Sequence, residues 1–326
     1  MLRIFVGVTH KPWFDYLAGL APDEVNFWQP SGSGEFRALR PGDLFLFKLK
    51  APWNAIAGGG VFAHASLAPL SLAWEAFGRK NGNPDLGSMR RTIAQLRRAA
   101  PLGEREDPVI GCRILTQPFF WPEELWLPAP ASFAANTVTG KGYSTEEADG
   151  LALWEAVRER LALASGPATD RAAVPHGPGL RDPATPFLPD PAGPRYGAPT
   201  PLQRRLGQGA FRLAVTDGYG RRCAVSGERT LPILDAAHVR PYADGGGHEV
   251  SNGLLLRTDI HRLFDLGYVT VTEKGRFAVS ARLKADFDNG AHYYAMQGQE
   301  LRAPERGFAP PAPEALRWHR ENRYLG

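Results

Sequence analysis

A proline-rich stretch divides this chain into two parts, so each part must build its own hydrophobic core. Aliphatic residues are sparse between Gly166 and Pro201, whereas prolines recur every few positions at Pro167, Pro175, Pro178, Pro183, Pro186, Pro189, Pro191, Pro194, Pro199 and Pro201. Proline has a fixed φ and no backbone N–H, so such a run favours a partly extended, semi-rigid linker. We therefore predict folded units over residues 1–165 and 202–326, joined by a linker over 166–201. A chain of 326 residues is long enough for two cores.

Composition excludes several classes of protein. No apolar run approaches the roughly 20 residues that span a bilayer, and Met1–Val8 has the pattern of a strand, not of a signal peptide. We therefore expect a soluble, cytoplasmic protein with no membrane partner. Cys112 and Cys223 are the only cysteines, which excludes both a disulfide framework and a four-cysteine zinc site. The net charge of +4 is compatible with a nucleic-acid partner but is modest.

The N-terminal unit alternates strand-like and helix-like runs, which predicts an α+β fold around a curved sheet. The predicted strands are Leu2–Val8, Val25–Gln29, Asp43–Lys50, Ile56–Ala65 and Val109–Gln117. The predicted helices are Trp13–Leu20, Leu70–Phe77, Met89–Ala99 and Thr145–Ala164.

In the C-terminal unit, chemistry-bearing residues are concentrated between Asp235 and Asp265. Ile233–Val239 is typical of a strand, the Gly-rich run after Ala243 requires a loop, and Leu254–Leu256 predicts a second strand. Thr258 or Asp259 is a suitable N-cap for a following helix. A helix would place His261 and Asp265 on one face. Hairpin and helix together would bring Asp235, His238, His261 and Asp265 to one point.

The spacing of His238, Asn252 and His261 resembles the active site of HNH endonucleases, which surround one divalent metal with a ββα fold. The resemblance implies that His238 is the general base, that Asn252 fixes the loop through its amide, and that His261 is a metal ligand. The run Arg221–Gly227 extends the likeness to the strand that opens many such domains. The chain is thus expected to be a phosphodiester hydrolase.

The remaining metal ligand is less clearly defined by the sequence. Many HNH enzymes carry an acid or a His directly before the base, where this chain has Ala237. Asp235 is the nearest substitute, and Asp265 and Asp259 are the alternatives. Mixed nitrogen and oxygen donors suit Mg²⁺ or Mn²⁺, and also Ni²⁺, Co²⁺ or Zn²⁺.

Arginines flank the proposed centre and are candidates for binding backbone phosphate. The predicted contacts are Arg222, Arg240, Arg257 and Arg262, within a wider set that includes Arg204, Arg205, Arg212 and Arg221. Leu202–Tyr219 has helical periodicity and is expected to support the hairpin. A further hairpin is predicted after Tyr268, with Gly275 in its turn.

The N-terminal unit resembles the PUA-like superfamily, which includes EVE, ASCH and SRA-like domains. The likeness rests on the run Arg40–Lys48, on the small residues Gly58–Gly60 in the next strand, and on Val25–Trp28 before them. It implies a curved sheet or barrel with a pocket that accepts a flipped base. The residues predicted to stack on the base or read its edge are Trp13, Asn26, Phe27, Trp28, Gln29 and Trp53.

A reader joined to a nuclease predicts a restriction endonuclease that recognises 5-methyl- or 5-hydroxymethylcytosine in double-stranded DNA. One HNH centre cuts one strand, so we expect a homodimer on DNA. Two alternatives stay open at this point. The protein is a nuclease of RNA or unmodified DNA, or, because of Ala237, its C-terminal unit is a catalytically degenerate nucleic-acid-binding module.

Overall fold

The N-terminal unit is built on a single sheet, and five of its seven strands coincide with the predicted strand-like runs. The computed structural model describes residues 1–32, 34–98, 102–103, 106–134, 136–165 and 207–326. Within these ranges the N-terminal strands are β1 (Arg3–Thr9), β2 (Glu24–Asn26), β3 (Leu44–Leu49), β4 (Ala55–Pro69), β5 (Val109–Phe120), β6 (Leu127–Pro128) and β7 (Gly140–Ser144). The predicted linker over 166–201 lies outside the described residues.

The strands run in the order β2-β5-β4-β3-β1-β7, with β6 paired to β4. The pair β1 and β3 is parallel, and the other pairs in this sheet are antiparallel. Among the described residues β2 and β7 are the two ends of this path, so the sheet is open and the predicted alternative of a closed barrel is wrong. Gly58–Gly60 allow close approach of the neighbouring strands, because a Cβ on Gly58 would lie 2.3 Å from the Phe119 carbonyl oxygen.

Helices cover both faces of this sheet, as expected for an α+β fold. They are α1 (Lys11–Leu20), α2 (Leu70–Phe77), α3 (Leu86–Arg97) and α4 (Ala148–Ser165). All four predicted helices are present. A cluster that includes Phe27, Phe45 and Phe47 fills one side of the sheet, and a cluster around Ile4, Leu46 and Trp121 fills the other.

The C-terminal unit begins in the described residues with α5 (Gln208–Gly218), and the predicted start of this helix at 202–206 lies outside them. The following elements are β8 (Leu234–His238), β9 (Gly253–Arg257), α6 (Thr258–Asp265), β10 (Val269–Val271), β11 (Phe277–Val279), α7 (Ala281–Phe287), α8 (Ala291–Tyr294) and α9 (Pro313–Asn322). Both predicted hairpins form, and Gly275 turns the second with a φ of +69°. Arg221–Gly227, in contrast, forms turns, so the strand expected there is absent from the described structure.

Helix α5 belongs to both units. Ala210 and Leu213 pack into the N-terminal core formed with α2, α3 and β5, while Phe211 and Val215 pack into the core of the C-terminal unit. The carboxylate of Glu24 is fully buried and accepts hydrogen bonds from the backbone N–H groups of Gly209 (2.9 Å) and Ala210 (3.0 Å). An acid at a helix N-terminus satisfies otherwise unpaired donors and complements the helix dipole. The N-terminal unit therefore caps the helix that supports the C-terminal hairpin.

Candidate active site

A short antiparallel hairpin and one helix bring the predicted catalytic residues together. Strand β8 pairs with β9 so that His238 lies opposite Gly253, at the end of the hairpin next to the connecting loop. Asn252 directly precedes β9, and α6 begins where β9 ends. The predicted N-cap of α6 is wrong: the cap position is Arg257, Thr258 donates its hydroxyl to the Ile233 carbonyl, and Asp259 lies in the first turn.

His238 is held between aromatic and imidazole neighbours. Its ring stacks on Phe211 of α5, with centroids 3.9 Å apart and planes inclined by 10°. Its Nε2 atom lies 2.9 Å from Nδ1 of His248. Burial lowers the pKa of His238 to about 4, and charge on His248 and His261 acts in the same direction. The imidazole is therefore neutral near pH 7, which is the form that can accept a proton.

The side-chain amide of Asn252 hydrogen-bonds to backbone groups of the loop between β8 and β9. Its Oδ1 accepts from the Arg240 backbone N–H (2.9 Å), and its Nδ2 donates to the carbonyls of Arg240 and Gly247, both at 2.8 Å. Asn252 is buried, so these bonds are protected from water. The amide therefore links the residues that follow His238 to the end of the loop before β9.

His261 lies between two carboxylates. Its Nδ1 is 3.5 Å from Oδ2 of Asp235, and its Nε2 is 3.4 Å from Oδ2 of Asp265. In the described part of the chain no three His, Cys, Asp or Glu side chains form a ready metal cluster. One imidazole nitrogen with one carboxylate nevertheless fits an ion such as Mg²⁺, which keeps several waters and binds substrate phosphate oxygens. The second acid would then orient the ring from its other edge.

Asp259, the third candidate acid, is hydrogen-bonded to residues other than His261. Arg257 binds it with two hydrogen bonds of 2.7 Å, and Tyr293 donates its hydroxyl at 3.0 Å. The bond from Arg257 is the main reason that the pKa of Asp259 falls to about 2. Asp259 therefore serves this ion pair, while Asp235 and Asp265 border His261.

Ala237 faces the hydrophobic core and not the candidate site. It is fully buried and lies opposite Leu254, whereas Ala236 and His238 line the cleft. Ala237 is packed within the hydrophobic cluster of the C-terminal unit, so a longer side chain at position 237 would enter the core. Asp235 lines the cleft and lies beside His261, so a carboxylate is present there without an acid at position 237.

Asp235, His238, His261 and Asp265 line a cleft of about 540 Å³, and the wider set of arginines predicted to flank the site contributes Arg212 to its wall. Arg212 of α5 lies in it, with Nη2 2.8 Å from Oε1 of Glu75 and 3.8 Å from Oδ1 of Asp235. Glu75 comes from α2, so the N-terminal unit forms part of the cleft wall. Glu75 and His248 were not predicted, although a second histidine just after three glycines is a signal that sequence reasoning could have used.

The predicted phosphate-binding arginines differ in their freedom to bind a ligand. Arg257 is engaged by Asp259, as described above. Arg240 donates from Nε to the Asp244 carbonyl at 2.7 Å and lies over the Trp318 ring at 5.4 Å. Arg262 is exposed on α6, and Arg222 is half-buried in the turn before β8. Arg262 is thus the most accessible of the four.

Most predicted base-reading residues meet around Asn81. The indole N–H groups of Trp13 and Trp28 donate to the Asn81 carbonyl at 3.1 and 2.8 Å, and the Asn26 amide donates to Asn81 Oδ1 at 2.9 Å. Phe27 is buried against Trp13, with ring centroids 5.3 Å apart. These four side chains are therefore occupied with internal packing.

The other two predicted base-reading residues lie apart from this group. Trp53 is 41% exposed, beside Lys11. Gln29 lines a separate cavity, where its side-chain oxygen accepts from Arg113. The six predicted residues do not converge on one cavity.

A search of curated proteins found no match, whereas family models and solved structures did match. Residues 223–272 match the HNH_2 family, described as HNH endonuclease. The solved structures include a modification-dependent TagI restriction endonuclease, with 21% identity, a TM-score of 0.24 and coverage of 36% of this chain and 38% of that one. They also include a mutant ZmASCH protein from Zymomonas mobilis, with 9% identity and a TM-score of 0.31. This match covers 47% of this chain and 96% of the ZmASCH chain.

The chain thus spans well under two thirds of the TagI length. No helix in the described ranges combines the length and apolarity needed to cross a bilayer. The family match covers the hairpin, α6 and the residues Asp235, His238, Asn252, His261 and Asp265. Residues 223–272 are therefore similar to HNH endonuclease domains, whose members are metal-dependent phosphodiester hydrolases.

Proposed function

We propose that this protein is a DNA endonuclease whose N-terminal domain recognises a modified cytosine by base flipping. The main supporting observation is that Glu75 of the N-terminal domain forms part of the cleft that holds His238, Asp235 and His261. A recognition domain that touches the catalytic cleft can position substrate for cutting. One centre cleaves one strand, so cutting a duplex requires two copies of the chain on DNA.

His238 acts as the general base in this proposal. The role requires one ring nitrogen to be unprotonated, and the other lies 2.9 Å from His248 Nδ1. If His238 donates Nε2–H to His248, its Nδ1 lone pair is free to take a proton from the attacking water. The hydrogen bond to His248 would persist after proton transfer. His248 thereby selects the productive tautomer.

His261 and Asp235 would hold the metal, with Mg²⁺ or Mn²⁺ as the proposed ion. Bound there, the metal would stabilise negative charge on the phosphate and the leaving oxygen. Asp235 shares strand β8 with His238, which brings the metal pair close to the base. Asp265 lies 3.4 Å from Nε2 of His261 and would orient the ring from that edge.

Arg212 is a further phosphate contact in this cleft. Its guanidinium lies between Glu75 and Asp235, and its planar donors suit phosphate oxygens. DNA entering the cleft would exchange the contact with the partly exposed Glu75 for a contact with phosphate.

Cleavage of matched plasmids tests the proposal. Plasmids carrying cytosine, 5-methylcytosine or 5-hydroxymethylcytosine, together with a single-stranded RNA, are incubated with the full chain and Mg²⁺ or Mn²⁺. We expect cleavage of modified DNA at least tenfold faster than of unmodified DNA, and particles of two chains per DNA by sedimentation. Equal rates on all three plasmids would refute recognition of modification.

Two variants accompany this experiment. His238→Ala should bind DNA but not cut it, because it lacks the base. His10→Ala, an exposed histidine outside the cleft, should cut like the unmodified protein. Preferred cleavage of RNA, or metal-dependent DNA binding without any cleavage, would favour the alternative functions.

A further inference from the structure

A second cavity of about 290 Å³ lies where the N-terminal sheet meets the C-terminal end of α5. Arg113 of β5 and Ser66 of β4 form its inner wall, and Asp217 and Arg221 border it from the other unit. Arg221 donates to the Leu67 carbonyl, and Asp217 lies 2.9 Å from Nε2 of His64, so both units are fixed around the cavity. Its volume is close to the lower end of ligand-sized pockets, about 300 Å³.

Arg113 is the unusual feature of this cavity. It is only 8% exposed, lies over the Phe36 ring at 4.4 Å, and donates from Nη2 to Gln29 Oε1 at 2.6 Å. Its Nε and Nη1 atoms are buried and have no hydrogen-bond partner among the described residues. The hydroxyl of Ser66, also buried, has no partner either. Two residues that line the cavity, Arg113 and Ser66, thus carry buried donors without a partner in the described structure.

No carboxylate in the described structure forms an ion pair with Arg113. Glu35 pairs with Arg37 at 2.7 Å, and Asp217 is engaged by His64 and, at 3.9 Å, by Arg221. Burial lowers the pKa of Arg113 to about 10, so the group is still a cation at neutral pH. Burial also raises the pKa of the Cys112 thiol to about 12, so the thiol supplies no negative charge.

A buried cation without a counter-ion is unfavourable, and a bound anion would compensate for it. The planar guanidinium, fixed by Phe36 and Gln29, has its donors oriented in advance, which favours acceptors such as phosphate oxygens. We propose that this cavity binds a phosphate group of a nucleotide or nucleic-acid strand, with Arg113 and Ser66 as donors. The site lies outside the nuclease cleft, near the opposite end of α5 from Phe211.

Thermal unfolding of the full chain tests this site, in EDTA and in buffer free of phosphate and sulfate. The ligands are inorganic phosphate, dCMP, deoxycytidine and a short DNA duplex. Ligands that bind only the folded state raise the unfolding midpoint. We expect dCMP or phosphate to raise it and deoxycytidine to have no effect. If the duplex is the only ligand that raises the unfolding midpoint, substitution of Arg113 should abolish that rise. This result would identify the bound group as a phosphate of a nucleic-acid strand.

Three variants make the test specific. Arg113→Met should require at least ten times more ligand for half of the effect, and its midpoint without ligand should equal or exceed that of the unmodified protein. Arg79→Met is the matched control, since Arg79 also stacks on a ring, Tyr16 at 5.6 Å, but is exposed. Ser66→Ala removes one hydroxyl and should weaken binding severalfold, which keeps the proposal testable if Arg113→Met does not fold.

Several outcomes would overturn the proposal. They are no response of the unmodified protein to any ligand, an equal response of Arg113→Met and Arg79→Met, or a shift by deoxycytidine as large as that by dCMP. These outcomes leave the nuclease proposal untouched, because binding is measured without metal and the Arg113 cavity is separate from the cleft.

Discussion

The imidazole of His238 lies face to face with the ring of Phe211, with 3.9 Å between centroids. Phe211 belongs to α5, the helix that the N-terminal unit caps through Glu24. The orientation of the proposed base thus depends on a helix shared by both units.

Substituting Phe211 with Leu should lower kcat about 10- to 100-fold, because small displacements of a catalytic group have effects of this size. Leucine fills the core but lacks the flat face that orients His238. Single-turnover cleavage at saturating DNA measures the change. Phe287→Leu, at a side chain 60% exposed, is the control and should be unaffected. An unchanged kcat in Phe211→Leu would show that the stacking is dispensable.

The pKa of His238 predicts its titration in the metal-free protein. Burial and the two neighbouring histidines disfavour the charged ring, so the folded-state pKa lies at about 4, below the usual 6.5. Histidine-selective NMR should therefore show a neutral ring at pH 6 and protonation only well below pH 5. A midpoint near 6.5 would contradict the burial of this ring.

His248 should affect turnover and not substrate binding, because it acts through the tautomer of His238. We expect His248→Ala to lower kcat about 10- to 100-fold with little change in KM, the range observed for groups that orient ligands. His248→Asn should keep more activity, since its side-chain oxygen can accept the same hydrogen bond. Similar losses in both variants would argue against this role.

The two acids beside His261 should differ when each is converted to its amide. Asp235→Asn removes a proposed ligand and should abolish Mn²⁺ binding and cleavage. Asp265→Asn should lower metal affinity about 10- to 100-fold, because it only orients the ring. Calorimetric titration with Mn²⁺ separates the two. The reverse order of effects would assign the metal to the Nε2 edge of His261.

His319 should make folding stability depend on pH. It is 2% exposed, donates from Nε2 to the Phe264 carbonyl (3.0 Å) and accepts at Nδ1 from the Thr270 hydroxyl (2.8 Å), and burial lowers its pKa to about 4. A depressed folded-state pKa means that stability is full above pH 6.5 and is lost as pH falls toward 4. The free energy of unfolding should fall by up to about 3 kcal/mol, because each pKa unit between 6.5 and about 4 corresponds to roughly 1.4 kcal/mol.

Urea unfolding at several pH values tests this expectation. His319→Gln keeps a hydrogen-bonding side chain but cannot titrate, so its stability should vary less between pH 6.5 and 4. Parallel pH profiles for the two proteins would rule out His319 as the titrating group.

Local pattern was sufficient to predict much of the architecture. Apolar periodicity identified the main N-terminal strands and helices, and the spacing of His238, Asn252 and His261 identified the ββα nuclease hairpin and its helix. These features depend on neighbours along the chain, which the sequence displays directly. The N-cap of α6 was wrong because Thr258 and Asp259 bond to Ile233 and Arg257, not to the helix end.

Tertiary structure decided what the spacing left open. Packing turned Ala237 into the core and placed Asp235 beside His261, and it brought Phe211, Arg212 and Glu75 to the cleft from helices outside the motif. It also placed most predicted base-reading aromatics in the core and left Arg113 lining a separate cavity. The physical reason is that burial and ion pairing depend on contacts between residues far apart in the chain. The sequence alone determined the chemistry of the centre, and the fold determined which side chains take part in it.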